Sequence, residues 1–314
     1  MPVVTASAVA TALAVTSNAT ASIPKGAAAR PTRTPAGVGI SGAVAGSATG
    51  PTLNLPAPPA QGTVDTDVRP APPSFPVPRE RLRTSPNWSG YINVAAPDVY
   101  FNDVIGYWRV PRFSCRNRQL THGSHASQWI GIDGFESRTV EQEGDTVDCI
   151  VNHGTVTRAT TMWFEMYPLR PRAYEDVVRP GDLIGAETKY IGNAAFQLFI
   201  KDLTNGRYLD TVQTCTHGCD LSSTEAINEI PGKGVRAHFG LTKTRPFAFA
   251  GYYNQVFDAG ADADLYGYFG RNPYWTTVGV RIGDPLIRHH PVMATVGPLY
   301  AGGRDFDVYW KRAF

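Results

Sequence analysis

The chain has 314 residues, with 29 Lys and Arg against 27 Asp and Glu. That near balance leaves no basic surface of the kind nucleic acids bind, and no apolar run is long enough to span a bilayer. Composition also divides the chain. Residues 1–86 hold 14 of the 25 prolines, one aromatic (Phe75) and a charge balance of +4, while the rest carries 22 basic against 24 acidic residues. One folded domain is therefore expected over residues 87–314, ample for a sizeable core.

Residues 1–21 form a small, weakly apolar run ending in Ala19-Thr20-Ala21. This fits a secretory signal with an Ala-x-Ala cleavage site, although no Lys or Arg precedes Lys25. An Ala-rich leader is the alternative. Residues 22–86 are rich in Ala, Pro and Gly, with Pro56-Ala-Pro-Pro59 and Pro70-Ala-Pro-Pro73 among them. A segment of that composition reads as a linker or propeptide, and Arg79, Arg81 and Arg83 offer a processing point ahead of the domain.

From Asn87 onward the pattern is strands and turns. Ile105–Val110, Ser127–Ile132, Thr161–Tyr167, Leu183–Ile191, Ala195–Ile200 and Arg207–Gln213 are short runs of β-branched and aromatic residues. Asn205-Gly206 between the last two predicts a hairpin. No amphipathic helix of a dozen residues is present, so the expected class is all-β, a sandwich or barrel. Strand parity puts Met162, Phe164 and Met166 on a core face, and Trp163, Glu165 and Tyr167 on the other. Trp129 shares parity with Asp133, and Glu225 with Glu229. Polar groups are thus expected on one side of several strands.

Cys115, Cys149, Cys215 and Cys219 suit one or two disulfides in a secreted protein, and sequence alone leaves three connectivities open. The short Cys215–Cys219 loop would leave Cys115 and Cys149 as the other pair. Zinc on Cys215, His217 and Cys219 is the rival reading. His122-Gly-Ser-His125 could ligate a metal but, on a loop, reads first as ordinary surface, and His289-His290 is a bare pair.

No activated serine, cysteine or metal set stands near the chemistry-bearing segments, which are Trp129-Ile-Gly-Ile-Asp133-Gly134, Glu141-Gln142-Glu143-Gly144, Trp163-Phe-Glu165-Met-Tyr167-Pro168 and Glu225-Ala-Ile-Asn-Glu229. An amide with a carboxylate suggests attack of a positioned water on an acyl carbon. With Asn87-Trp88-Ser89-Gly90-Tyr91 ahead of them and Phe306-Asp-Val-Tyr-Trp310 as a terminal strand, these segments in this order resemble the eqolisins, the glutamic peptidases.

The resemblance implies a β-sandwich of two bent antiparallel sheets (concanavalin or jelly-roll-like) and a Gln142/Glu229 catalytic dyad. Glu229 would serve as general base and then acid, and Gln142 would orient the water and stabilise the oxyanion. Asp133, Glu165, Trp163, Trp129, Trp88 and Glu225 would support the dyad or line the cleft. It further implies a secreted, monomeric acid endopeptidase acting on polypeptides without metal or cofactor, and binding neither nucleic acid nor membrane. With Glu229 as base, activity should fall as it protonates near the usual glutamate pKa of about 4.3. Three positions depart from the pattern: Thr146 stands where an Asp can occur, Glu143 follows the glutamine and adds charge beside the site, and Asn228 precedes Glu229. Two carbohydrate readings compete. One is a glycosidase using Glu165 and Glu229, and the other a sugar-binding module stacking on Trp88, Trp129 and Trp163.

Overall fold

The structure, a computed structural model, describes residues 42–46, 82–115, 123–174, 178–231, 240–258, 265–284 and 291–312, with 42–46, 258 and 271–272 as backbone only. The proposed signal, Arg79, Arg81, His122 and His289-His290 lie outside the described residues. The strands in chain order begin with β1 (Gly42–Gly46), β2 (Arg83–Ser85), β3 (Trp88–Ala95), β4 (Val99–Arg109), β5 (Phe113–Ser114), β6 (Ser124–Ile132) and β7 (Val140–Asn152). Next come β8 (Thr155–Tyr167), β9 (Arg172–Ala173), β10 (Leu183–Gly192), β11 (Ala195–Asp202), β12 (Tyr208–Thr214), β13 (Ser223–Glu229) and β14 (Gly240–Leu241). The series closes with β15 (Lys243–Thr244), β16 (Phe247–Asp258), β17 (Leu265–Gly267), β18 (Arg271–Asn272), β19 (Trp275–Ile282), β20 (Ala294–Val296) and β21 (Phe306–Trp310). All six strands expected from the sequence are present, and no α-helix occurs among the described residues. No helix there is long and apolar enough to cross a membrane.

Hydrogen bonding runs through one curled sheet folded on itself. One layer is β8-β7-β6-β13-β3-β19. The chain of pairs then turns through β20 and β21 into the second layer, β16-β4-β10-β11-β12. The expected sandwich thus has its two layers joined at one side. Strands β16, β20 and β21, all from the C-terminal part of the chain, supply that join. Its aromatics pack into the core: Tyr252 stacks on Phe269 at 3.6 Å and hydrogen-bonds Thr224 through its hydroxyl.

The main core fills the space between layers, with Ile130, Met162, Phe164, Trp108, Leu198 and Phe249 among its buried members. Met162, Phe164 and Met166 face it as parity predicted. The predicted hairpin joins β11 to β12, but its loop is wider than two residues, because the Asp202 carboxylate takes the Thr204 and Asn205 N–H groups. Order begins before Asn87: β2 lies parallel to β19, with Arg83 opposite Val280.

Both cysteine pairs are disulfides, Cys115–Cys149 and Cys215–Cys219. That removes the zinc reading, because thiolates joined as cystine cannot serve as ligands. It also fits folding in an oxidising compartment.

Candidate active site

Register assembles the site on the outer face of the first layer. Gln142 in β7 lies opposite Gly131 in β6 and Glu165 in β8, and Gly131 lies opposite Glu225 in β13. One row along, Gly144, Trp129, Trp163 and Ile227 are level. The next row carries Thr146, Ser127 and Glu229, with Trp88 opposite Glu229. Seven of the eight predicted residues therefore share one face of adjacent strands. Glycine clears it: a Cβ on Gly131 would sit 3.0 Å from the Gln142 Cβ, and one on Gly144 would strike the Gln128 carbonyl oxygen.

Gln142 is buried, and its Nε2 donates to Glu165 Oε2 at 2.5 Å. This anchors one amide hydrogen and leaves the second for another acceptor. Its Oε1 makes no hydrogen bond among the described residues, so it is available to a water. Glu165 is thus the residue that fixes the amide, which resolves why an acid stands in an aromatic strand. Such use also removes it from the two-carboxylate arrangement a glycosidase needs.

Glu229 accepts from Trp129 Nε1 at 2.8 Å and from Asn87 Nδ2 at 3.0 Å, one donor on each oxygen. Trp129 stands edge-on to Trp88, ring centroids 5.2 Å apart, in a small apolar cluster that also contains Ile227 and Val140. Burial pushes the Glu229 carboxyl up to about 7, against the opposing donors of Trp129 and Asn87. Thr146 joins Ser127 at 2.7 Å and accepts from Trp163 Nε1 at 2.8 Å. A neutral hydroxyl pair therefore holds Trp163 at the place where an Asp could have stood.

The other members behave differently. Asp133 lies past the end of β6 with φ 68°, and its carboxylate gathers the Asp220, Leu221 and Ser222 N–H groups and the Ser222 hydroxyl. It ties the β6–β7 turn to the segment entering β13. Glu225 is buried and held well above the usual carboxylate range, chiefly by desolvation. Glu143 does not add charge beside the site, because alternation turns it into the space between layers, where burial raises it well above the usual range.

Sequence reasoning missed Asn87 as a ligand of Glu229 and His125 as part of this face. His125 is no loop residue: it stands in β6, with Nδ1 2.7 Å from Asp148 Oδ1, on the same parity as Trp129. Only the pairing of β3 with β13, 142 residues apart for Asn87 and Glu229, could reveal the first. The alternation of residues 125, 127 and 129 was the available signal for the second.

An anchored amide, a buried carboxylate and an aromatic wall on an all-β layer define a β-sandwich peptidase when set beside the comparisons. Residues 86–229 match the model of the Peptidase A4 family. That family is the glutamic peptidases, or eqolisins, and the matched segment carries their sequence pattern. Scytalido-glutamic peptidase, solved with a transition state analog inhibitor, is similar in fold: TM-score 0.50, 16% identity, 72% of this chain and 98% of that one. SCP-B, an eqolisin in complex with the tripeptide Ala-Ile-His, aligns at 15% identity and TM-score 0.44 over 72% of this chain and 98% of its own. Aspergilloglutamic peptidase from Aspergillus niger aligns at 16% identity and TM-score 0.40 over 60% and 99%. Comparison with curated proteins returned no match.

Proposed function

We propose that the chain is a secreted endopeptidase in which Gln142 and Glu229 activate water against a peptide carbonyl. The observation that carries this reading is the pairing of an anchored amide with a buried carboxylate on one face of one layer. On a flat sheet, two strand spacings and four residues of rise put their Cα atoms roughly 16 Å apart. Side chains reaching about 5 Å from each end leave roughly 6 Å, the span of one water hydrogen-bonded to both.

Glu229 takes a proton from that water as its oxygen bonds the carbonyl carbon. It then passes the proton to the amine as the C–N bond breaks. The free Nε2 hydrogen of Gln142 faces the oxygen that gains charge. With Glu229 near 7, the base form is depleted below that pH. The acid limb of activity therefore belongs closer to 7 than to 4.3, and activity should still be rising as pH passes through neutrality.

Register favours a second partner for the amide. Glu225 is level with Gln142 across Gly131, about 10 Å between Cα atoms. It lacks the paired donors that Glu229 has, so Glu229 is the preferred base.

Casein hydrolysis between about pH 3 and pH 8, comparing wild type with Gln142→Ala, Glu229→Gln and Glu225→Gln, separates the readings. Loss in the first two with activity kept in the third supports the proposed dyad. Activity surviving Glu229→Gln but not Glu225→Gln transfers the base to Glu225.

A further inference from the structure

The Cys215–Cys219 bridge stands against a buried acid that the peptidase reading does not use. A carboxyl oxygen of Glu141 and the two sulfurs lie within 4.8 Å of one another. Glu141 is 1% exposed, and neither of its oxygens makes a hydrogen bond among the described residues. The Cys115–Cys149 bridge has no such carboxyl beside it among the described residues.

Elementary chemistry gives that placement a use. Desolvation, then the charge of Asp133, holds Glu141 well above the usual carboxylate range, so it carries a proton near neutrality. The titratable groups facing it are Asp133 from the β6–β7 turn and Glu225 from β13, while His217 and Asp220 stand exposed on the bridge's own loop. That proton sits beside a bond whose cleavage releases a thiolate, and a thiolate released into an apolar core is costly until it is protonated. The gap exceeds a formed hydrogen bond, as suits an acid that engages only when the sulfur gains charge.

The two sulfurs differ in access. Cys215 is 6% exposed, and its N–H donates to the Ala194 carbonyl. Cys219 is half-buried and follows the exposed residues Thr216, His217 and Gly218. An incoming thiolate therefore meets Cys219, and Cys215 is the group that departs. Opening this bridge also spares the fold. It spans a sequence separation of 4, against 34 for Cys115–Cys149, and the shorter loop contributes less chain-entropy stabilisation.

We propose that Cys215–Cys219 is a thiol-exchange site, at which an external dithiol attacks Cys219 and Glu141 protonates the departing Cys215. In the first step a thiolate of the reductant bonds Cys219 Sγ and the Sγ–Sγ bond breaks. The electron pair leaves on Cys215 Sγ, which takes the Glu141 proton. In the second step the reductant's other thiolate displaces Cys219, which takes a proton from water. The cystine is reduced to two thiols, the dithiol is oxidised to a disulfide, and solvent returns the proton to Glu141.

Timed reduction of the full chain by limiting dithiothreitol at pH 7, quenched with iodoacetamide and read by peptide mass, tests this. Cys215–Cys219 should open roughly tenfold faster than Cys115–Cys149, and glutathione alone should leave its adduct on Cys219. Glu141→Gln keeps the shape and removes the proton. It should slow the first bridge about fivefold or more and leave the second unchanged. Divided by thiolate concentration, the wild-type rate at the first bridge should be higher at pH 6 than at pH 8.5, and that at the second equal at both. Adducts on Cys215, or a Glu141→Gln rate equal to that of wild type, would overturn the proposal. If that variant does not fold, the wild-type comparison decides: equal corrected rates at the two pH values overturn it as well.

Discussion

Strand β7 can be compared with itself, one face against the other. Its even residues Gln142, Gly144 and Thr146 lie on the site face, where each polar group has an assigned partner or an open one. Its odd residues Glu141, Glu143 and Asp145 turn between the layers, and all three are buried acids. Burial pushes Asp145 up to about 7 against the short bond from Trp108 Nε1, and holds Glu141 and Glu143 well above the usual carboxylate range. One strand therefore carries two kinds of acid–amide chemistry. Polarity alone does not mark a site. What marks it is a polar group held by donors and still able to reach a ligand.

That contrast can be broken experimentally. The largest effect expected is from Glu229→Gln, a loss of about 10³ to 10⁴ in kcat with the thermal midpoint nearly unchanged, read by steady-state kinetics on a peptide. Retention of a tenth of the activity would end its assignment as base. Gln142→Ala should cost about 10² to 10³ in kcat, the range for losing one oxyanion donor, with KM little altered.

Trp129→Phe keeps the ring and removes the N–H that opposes burial at Glu229. Its kcat/KM should fall about tenfold at pH 6, and the acid limb should move up by roughly one unit. An unmoved limb would mean that another group titrates.

The smallest change is expected on the other face. Glu143→Gln should leave kcat intact and alter only the pH dependence of stability. A carboxyl raised on folding binds its proton more tightly in the folded state. It therefore contributes stability that is complete below the unfolded pKa near 4 and is lost as pH rises through the folded value, about 7 for Asp145 and well above the usual carboxylate range for Glu143. The wild type should melt lower at pH 7.5 than at pH 4, and Glu143→Gln should narrow that gap by about 5 °C. A gap of unchanged width would show that Glu143 is not among the groups responsible.

Much of this was legible in the chain. Alternation located the strands, the core face of β8 and the site face bearing Trp163 and Glu165. It was not carried into β7, where Glu143 was read as a charge beside the glutamine. Sequence cannot tell a strand with one solvated face from a strand buried on both. His125 was misplaced because its Asp148 partner sits on the next strand, 23 residues away.

The sequence by itself determined the class, the order of strands and the disulfide candidates, because these depend on local alternation, turn residues and residue type. Tertiary structure decided which residues stand level across strands, since register is set by packing of whole faces. It alone gave Glu229 its two donors and its raised pKa, committed Glu165 to the amide, and set Glu141 against the Cys215–Cys219 bridge. Those outcomes depend on desolvation and on contacts between residues up to 142 positions apart, which no local pattern encodes.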